Sequence, residues 1–301
     1  MKKSVSMLLA ALMLTGALAG CGSSASTSAS GTQAADGADS GVSGAITVIS
    51  REDGSGTRGA FIELTGVEEK TADGKKVDNT TADAEIANKT DVVLTSVASN
   101  EKAIGYISLG ALNDTVKAVK VDGAEATVDN VKAGAYKLSR PFNIATKGEP
   151  TGVAKDFINF ILSKEGQAVV TDNKYIAVND AAESFVSDGS SGQIAVGGSS
   201  SVSPVMEKLI EAYKSVNPNA SIDLQTSDST SGMTGAMDGT FAIGMASREL
   251  KDEEAAQLTG TAIALDGIAV IVNPASTIDE LSMDQIKSIY VGDITDWGDL
   301  A

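Results

Sequence analysis

Three times along this 301-residue chain, a short β-branched run ends in a turn of small hydroxyl residues and glycine and then enters a helical pattern. Residues 46–49 (ITVI) lead through 50–58 (SREDGSGTR) to a helix over 59–64. Residues 194–196 lead through 197–203 (GGSSSVS) to an amphipathic helix over 204–216, and 222–224 lead through 226–232 (TSDSTSG) to a short helix. Apolar runs bounded this way read as buried strands. Pro204 suits a first helical turn, where its missing N–H costs nothing. Repeated strand–turn–helix units predict an α/β fold with mainly parallel strands. Further strands are predicted at 92–94, 103–109, 116–121, 242–245 and 268–272. Helices are predicted over 151–170 and 283–290, and 187–193 (SDGSSGQ) reads as a linker.

Ligands in open α/β folds gather at the carboxyl ends of strands, and there this sequence concentrates donors. Ser199-Ser200-Ser201, Ser229-Thr230-Ser231-Gly232 and Gly54-Ser55-Gly56-Thr57 each lie between a strand's end and a helix's start. The first helical turn presents orphan N–H groups and roughly +0.5 of dipole charge. Hydroxyls add donors and glycine admits close approach, so the pattern reads as an oxyanion site. Arg51 can add charge-assisted bonds. Each turn alone reads equally well as a helix cap, and Arg51 alone could simply pair with Glu52 or Asp53; the recurrence is what favours a site.

The net charge of −17 argues against nucleic acid or an anionic membrane surface as partner, since both need a positive field. It also repels a free anion at long range, so anion binding must come from dense local hydrogen bonds in a closed cleft. The chain has no histidine, which excludes a Ser-His-Asp triad, a His-bearing zinc site and a histidine base. No Walker motif or carboxylate cluster with metal-ligand spacing is present, so no catalytic residue, metal or cofactor is assigned.

Lys2, Lys3 and the apolar residues 5–18 form the n- and h-regions of a secretory signal, too short to span a bilayer. Leu18-Ala19-Gly20-Cys21 resembles the lipobox of bacterial lipoproteins, and the sole cysteine falls at its lipidation position. The resemblance implies acylation of Cys21 and, with two or more chains, durable membrane anchoring on the extracytoplasmic face. Residues 22–45, small and polar, read as a flexible tether.

The segments SREDGSGTRGAF (50–61), GGSSSVSPVMEKLIEAY (197–213), IGMASREL (243–250), DGIAVIVNP (266–274) and ITDW (294–297) together resemble the phosphate-binding lipoproteins, PstS-like solute receptors of phosphate ABC importers. The resemblance covers nearly all of 46–301. It implies a two-lobed periplasmic-binding-protein-like fold of type II with the ligand between lobes, a monomer, phosphate as ligand and an ABC permease as partner. Its segment order differs from the family's, so the chain reads as circularly permuted, with the former ends joined through 179–193; a rearranged gene is the competing explanation. The lobes are then 46–140 plus 274–301, and 141–273 with a linker at about 180–193. The crossings fall near Arg140-Pro141 and Asn273-Pro274.

Carried over by resemblance, the phosphate contacts are Ser200, Ser201, Ser229, Ser247, Arg51, Ser55, Gly56 and Thr57. Asp53 is placed to steady Arg51. Some members carry an aspartate where this chain has Ser247-Arg248, and that carboxylate takes the proton of hydrogen phosphate and so rejects sulfate. Ser247 both accepts and donates, which weakens that rejection. Asp228 is read either as a substitute acceptor or as a solvated turn residue. Two other readings are a phosphatase or phosphotransferase using Ser and Arg, and a receptor for another oxyanion such as sulfate.

Overall fold

The structure, a computed structural model, describes residues 43–300. The signal segment, Cys21 and the tether up to residue 42 lie outside the described residues. The chain begins with β1 Thr47–Arg51, α1 Gly56–Thr65, the hairpin β2 Glu68–Lys70 and β3 Lys76–Asp78, then β4 Glu85–Ala87, α2 Thr90–Ser99 and β5 Ala103–Ser108. Next come β6 Lys117–Ala118, β7 Lys120–Val121, α3 Val128–Lys132 and β8 Ser139–Thr146. Helices α4 Gly152–Leu162 and α5 Lys164–Asp172 follow, and then β9 Gly192–Ser199, α6 Ser203–Val216, β10 Ala220–Ser227, α7 Ser229–Asp238 and β11 Ile243–Ala246. The last elements are α8 Asp252–Ala255, β12 Thr259–Val272, β13 Glu280–Leu281 and α9 Met283–Val291.

The main sheet runs in the order β10-β9-β11-β8-β12-β5-β1-β4, with β6 also on β12. It is mixed, not mainly parallel as the repeated units suggest. Strands β9, β10 and β11 are parallel, as are β1, β4 and β5. Between these groups β8 is antiparallel to β11 and β12, and β12 is antiparallel to β5.

The two parallel groups have separate cores. Phe61, Val93, Ile104, Ile271 and Tyr290 belong to one, and Phe142, Phe157, Met206, Leu209 and Ile263 to the other. The chain passes between cores along two adjacent strands. Leu138, just before β8, packs in the first core, and Phe142 on β8 in the second. On β12, Ile263 and Ala264 pack in the second, and Ile268 to Val272 in the first. This second change of core precedes the Asn273-Pro274 position read from sequence, because the apolar run 268–272 completes the first sheet. Asn273 instead fastens the strand's end, donating to the carbonyls of Val97 and Ala98 at 3.1 and 2.8 Å.

Two elements differ in kind from the sequence reading. Residues 92–94 lie inside α2 rather than in a strand. Val93, Leu94 and Val97 are its buried face, and this spacing is that of a helix, outweighing β-branched propensity. The helix expected over 151–170 is two helices. Ser163 ends α4 by donating to the Phe160 carbonyl at 2.7 Å and caps α5 by accepting from the Gly166 N–H at 3.2 Å. Of the tether, residues 44 and 45 are fixed to the body: Gly44 N–H donates to Asp296 Oδ1 at 2.8 Å, and Ala45 bridges to Asp296.

The linker between α5 and β9 is pinned from beneath by Asp156 of α4. This buried carboxylate accepts from Tyr213 Oη (2.7 Å), Ser187 Oγ (2.8 Å), Asp188 N–H (3.0 Å) and Asn217 Nδ2 (3.1 Å). Burial pushes its pKa up, but the four bonds outweigh that and leave it below the ordinary carboxylate value. Its stabilising contribution is therefore full above the unfolded-state pKa of about 3.9 and is lost as pH falls through the lowered folded value. Asp156→Ala, which removes the acceptor of these four bonds and leaves the buried Tyr213 hydroxyl without its carboxylate, is expected to cost about 3 kcal/mol at pH 7. Urea unfolding at pH 7 and pH 3 checks this: the gap between wild type and variant should narrow at pH 3.

Candidate functional site

Four strand ends converge where the two cores meet. Strand β1 ends in Arg51 and turns through Ser55, the N-cap of α1, into Gly56 and Thr57. Strand β9 ends at Ser199 and runs through Ser200 and Ser201 to α6; β10 leads through Asp228 to Ser229 at the start of α7; β11 leads to Ser247. Ser55, Thr57, Ser199, Ser200, Ser201, Ser229 and Ser247 are all buried, as is Thr90 at the start of α2. Buried hydroxyls must be paired, and these pair both within each half and across the seam. Thr57 Oγ1 lies 2.8 Å from Ser201 Oγ and 3.4 Å from Ser247 Oγ. Ser199 Oγ donates to Ser247 Oγ at 3.0 Å, and Ser229 Oγ accepts from the Ser247 N–H at 3.1 Å. The Gly54 carbonyl accepts the Thr230 N–H at 3.1 Å, so one half satisfies an orphan donor at the helix N-terminus of the other.

Gly56 is required by this close approach. A Cβ there would overlap Ser229 Oγ and come within 2.8 Å of Ser247 Oγ.

Two guanidinium groups reach the cluster. Arg51 is held by Glu52 in a fork, Nε to Oε2 and Nη2 to Oε1, each at 2.8 Å, and its Nη2 also donates to Ser200 Oγ at 3.1 Å. Behind it, Arg58 Nη1 donates to the Arg51 carbonyl at 2.7 Å, and the Arg51 N–H donates to the buried Tyr106 Oη at 3.1 Å. Burial pushes the Tyr106 phenol up to about 12, so it stays protonated. Arg140, on β8, donates from Nη2 to Thr57 Oγ1 at 3.0 Å and lies 3.3 Å from Asp266 Oδ2 on β12.

The PBP superfamily domain matches residues 24–165 and 184–301. The chain belongs to the PBP superfamily. It is 49% identical over 302 residues to Phosphate-binding protein PstS 2 of Streptococcus agalactiae, spanning 99% of this chain and 98% of that protein. It is 47% identical over 298 residues to Phosphate-binding protein PstS 2 of Streptococcus pneumoniae, spanning 99% of each. The crystal structure of a phosphate ABC transporter, phosphate-binding protein from Streptococcus pneumoniae shares its fold with a TM-score of 0.69 and 49% identity, over 86% of this chain and 100% of that one. Segment order is thus common to this superfamily member and its full-length PstS 2 relatives, which speaks against a rearranged gene.

Of the residues singled out from sequence, Arg51, Ser55, Gly56, Thr57, Ser200, Ser201, Ser229 and Ser247 come together at the seam. Asp53 does not steady Arg51: it is exposed and pairs with Arg58 at 3.0 Å, while Glu52, just past the end of β1 where strand alternation gives way to a turn, takes Arg51. Asp228 is the N-cap of α7, with Oδ1 accepting the Ser231 N–H at 2.9 Å. Arg248 is bound by Glu254 through both Nη atoms at 2.7 and 2.8 Å. Thr90, Arg140 and Asp266 were not among the site residues read from the sequence, since only tertiary contacts bring them here; Ser199 was read as part of its turn, and Glu52 only as a surface partner of Arg51.

Burial pushes the Asp266 carboxyl up to about 6 despite the positive charge of Arg140, and burial likewise lowers Arg140 to about 10, with Asp266 opposing. A raised folded pKa means that the stability linked to Asp266 is full below about pH 3.9 and is lost as pH rises through about 6. Carboxyl ¹³C titration of Asp266 is expected to give a midpoint well above that of an exposed aspartate; a midpoint at or below the ordinary value contradicts the dominance of burial.

Proposed function

We propose that this chain is an extracytoplasmic receptor that captures inorganic phosphate between its two lobes and delivers it to the permease of an ABC importer, without catalysis. The observation that carries the reading is the seam itself, where hydroxyls from four strand ends, the N-terminal ends of α1, α2, α6 and α7 and the Arg51 fork meet in one buried cluster. A tetrahedral oxyanion needs many donors from several directions, and helix N-termini and arginine supply them. Ser200, Ser201, Ser229, Ser247, Arg51, Ser55, Gly56 and Thr57 are the proposed contacts. The names of the full-length relatives support phosphate as the ligand and an ABC transporter as the setting. Anchoring through lipidated Cys21 and a monomeric state belong to the same proposal.

We read the segment order as a circular permutation of the wider family's. The body's geometry supports the reading. The Trp297 N–H donates to the Gly44 carbonyl at 3.1 Å, so 44 and 297 are neighbours in space, and 173–191 joins α5 to β9 with no buried residue from 177 on. A variant with residue 45 joined to 300 by a short glycine–serine linker, and new ends at Gly189, is expected to bind phosphate as the natural order does. Loss of binding in a folded variant would overturn it.

Phosphate affinity tests the site. Thr57→Ala and Ser201→Ala are each expected to weaken phosphate binding about tenfold in calorimetric titrations, the net worth of about one hydrogen bond to a charged group. Affinity should vary only weakly with salt, because fixed dipoles rather than a long-range field hold the anion. Sulfate competition reads out whether Ser247 suffices for selectivity, and no phosphate should be released from a phosphomonoester. Unchanged affinity in both alanine variants would remove the seam as the binding site.

A further inference from the structure

The second guanidinium at the seam sits at an unusual place. Arg140 and Asp266 are directly paired residues on β8 and β12, the two strands along which the chain passes between cores. In antiparallel pairing, opposite residues share a face of the sheet, and these two carry opposite charges at the hinge. Arg140 is 3% exposed, yet its Nε and Nη1 have no hydrogen-bond partner among the described residues. Its remaining nitrogen, Nη2, is fixed on Thr57 Oγ1, which itself contacts Ser201 and Ser247. Asp266 Oδ2 lies within ion-pair distance of Nη2 but is not aligned as a hydrogen-bond acceptor, and Asp266 Oδ1 accepts the Gly110 N–H at 3.4 Å.

Leaving two nitrogens of a buried guanidinium unpaired, three N–H groups in all, is costly, so an acceptor is called for. Around this site Ser108 Oγ and Tyr175 Oη also lack partners among the described residues, but each carries at most one proton and no charge. An anion oxygen answers the guanidinium better. Building on the phosphate reading above, we infer that Arg140 is a second arginine ligand of the bound anion, mounted on the hinge strands and oriented by Asp266. Arg51 then grips the anion from the β1 turn and Arg140 from the crossing, and Asp266 acts as a positioning residue. This arrangement favours doubly charged tetrahedral oxyanions, and ties the anion to the two strands about which the lobes move.

The test is a crystal structure of the full chain with inorganic phosphate, joined to titrations of Arg140→Lys and Arg140→Gln. The expected structure places an Arg140 nitrogen within about 3.2 Å of a phosphate oxygen. Arg140→Gln should weaken phosphate binding about 30-fold, and Arg140→Lys, which keeps the charge without the fork, about tenfold with little change in melting temperature. An Arg140 side chain more than about 4 Å from every phosphate oxygen, or an Arg140→Lys affinity within twofold of wild type, overturns the inference and leaves the phosphate reading standing. A merely structural hinge pair would instead lower the melting temperature and spare the affinity. If the glutamine variant does not fold, the lysine variant and the structure decide. A wild-type chain that binds no phosphate overturns both readings.

Discussion

The contact between Thr57 Oγ1 and Ser201 Oγ joins two separately packed cores, and most of what is distinctive here depends on it. Each core alone is an ordinary packed layer of helices on a sheet. Their meeting surface is different in kind, a buried film of hydroxyls, backbone N–H groups and two arginines. Polar groups taken out of water this way must be paired, or they cost more than they give. The seam therefore has no neutral setting. In the structure its hydroxyls satisfy one another; on the proposed reading, lobe motion of the hinge type would exchange those partners for water or for the anion.

Electrostatics sharpens that choice. Arg51 is neutralised by the Glu52 fork and Arg140 is accompanied by Asp266, so the buried charges are balanced before any ligand arrives. Around them the whole chain carries −17. Capture of an anion must then rest on short-range, directional bonds. Such a site selects by shape and proton count, because every donor and acceptor has a fixed position.

The parts legible in the sequence were those governed by local rules. Ser55 and Ser229 stand at strand–helix boundaries that any cap-based reading finds, and the β1, β9 and β10 units follow from their β-branched runs. What local rules missed depends on distant partners. Residues 92–94 look like a strand, but the first core needs Val93 and Val97 on one helical face, and it is this helix that delivers Thr90 to the cluster. The choice between Glu52 and Asp53 for Arg51 depends on where β1 stops, which the sequence does not mark: continued alternation would set Asp53 on the side of Arg51, but the strand ends at Arg51 and the turn brings Glu52 to it. Arg140 and Asp266 lie over a hundred residues apart and meet only through the antiparallel register of β8 and β12.

If the seam is where ligand binding and lobe closure become one event, small-angle scattering of the anion-stripped full chain during a phosphate titration tests it most directly. The account predicts a particle that contracts as phosphate is added, with a midpoint equal to the calorimetric one, and that Gly56→Ala binds weakly and fails to contract. A chain whose dimensions do not change while phosphate binds would contradict it.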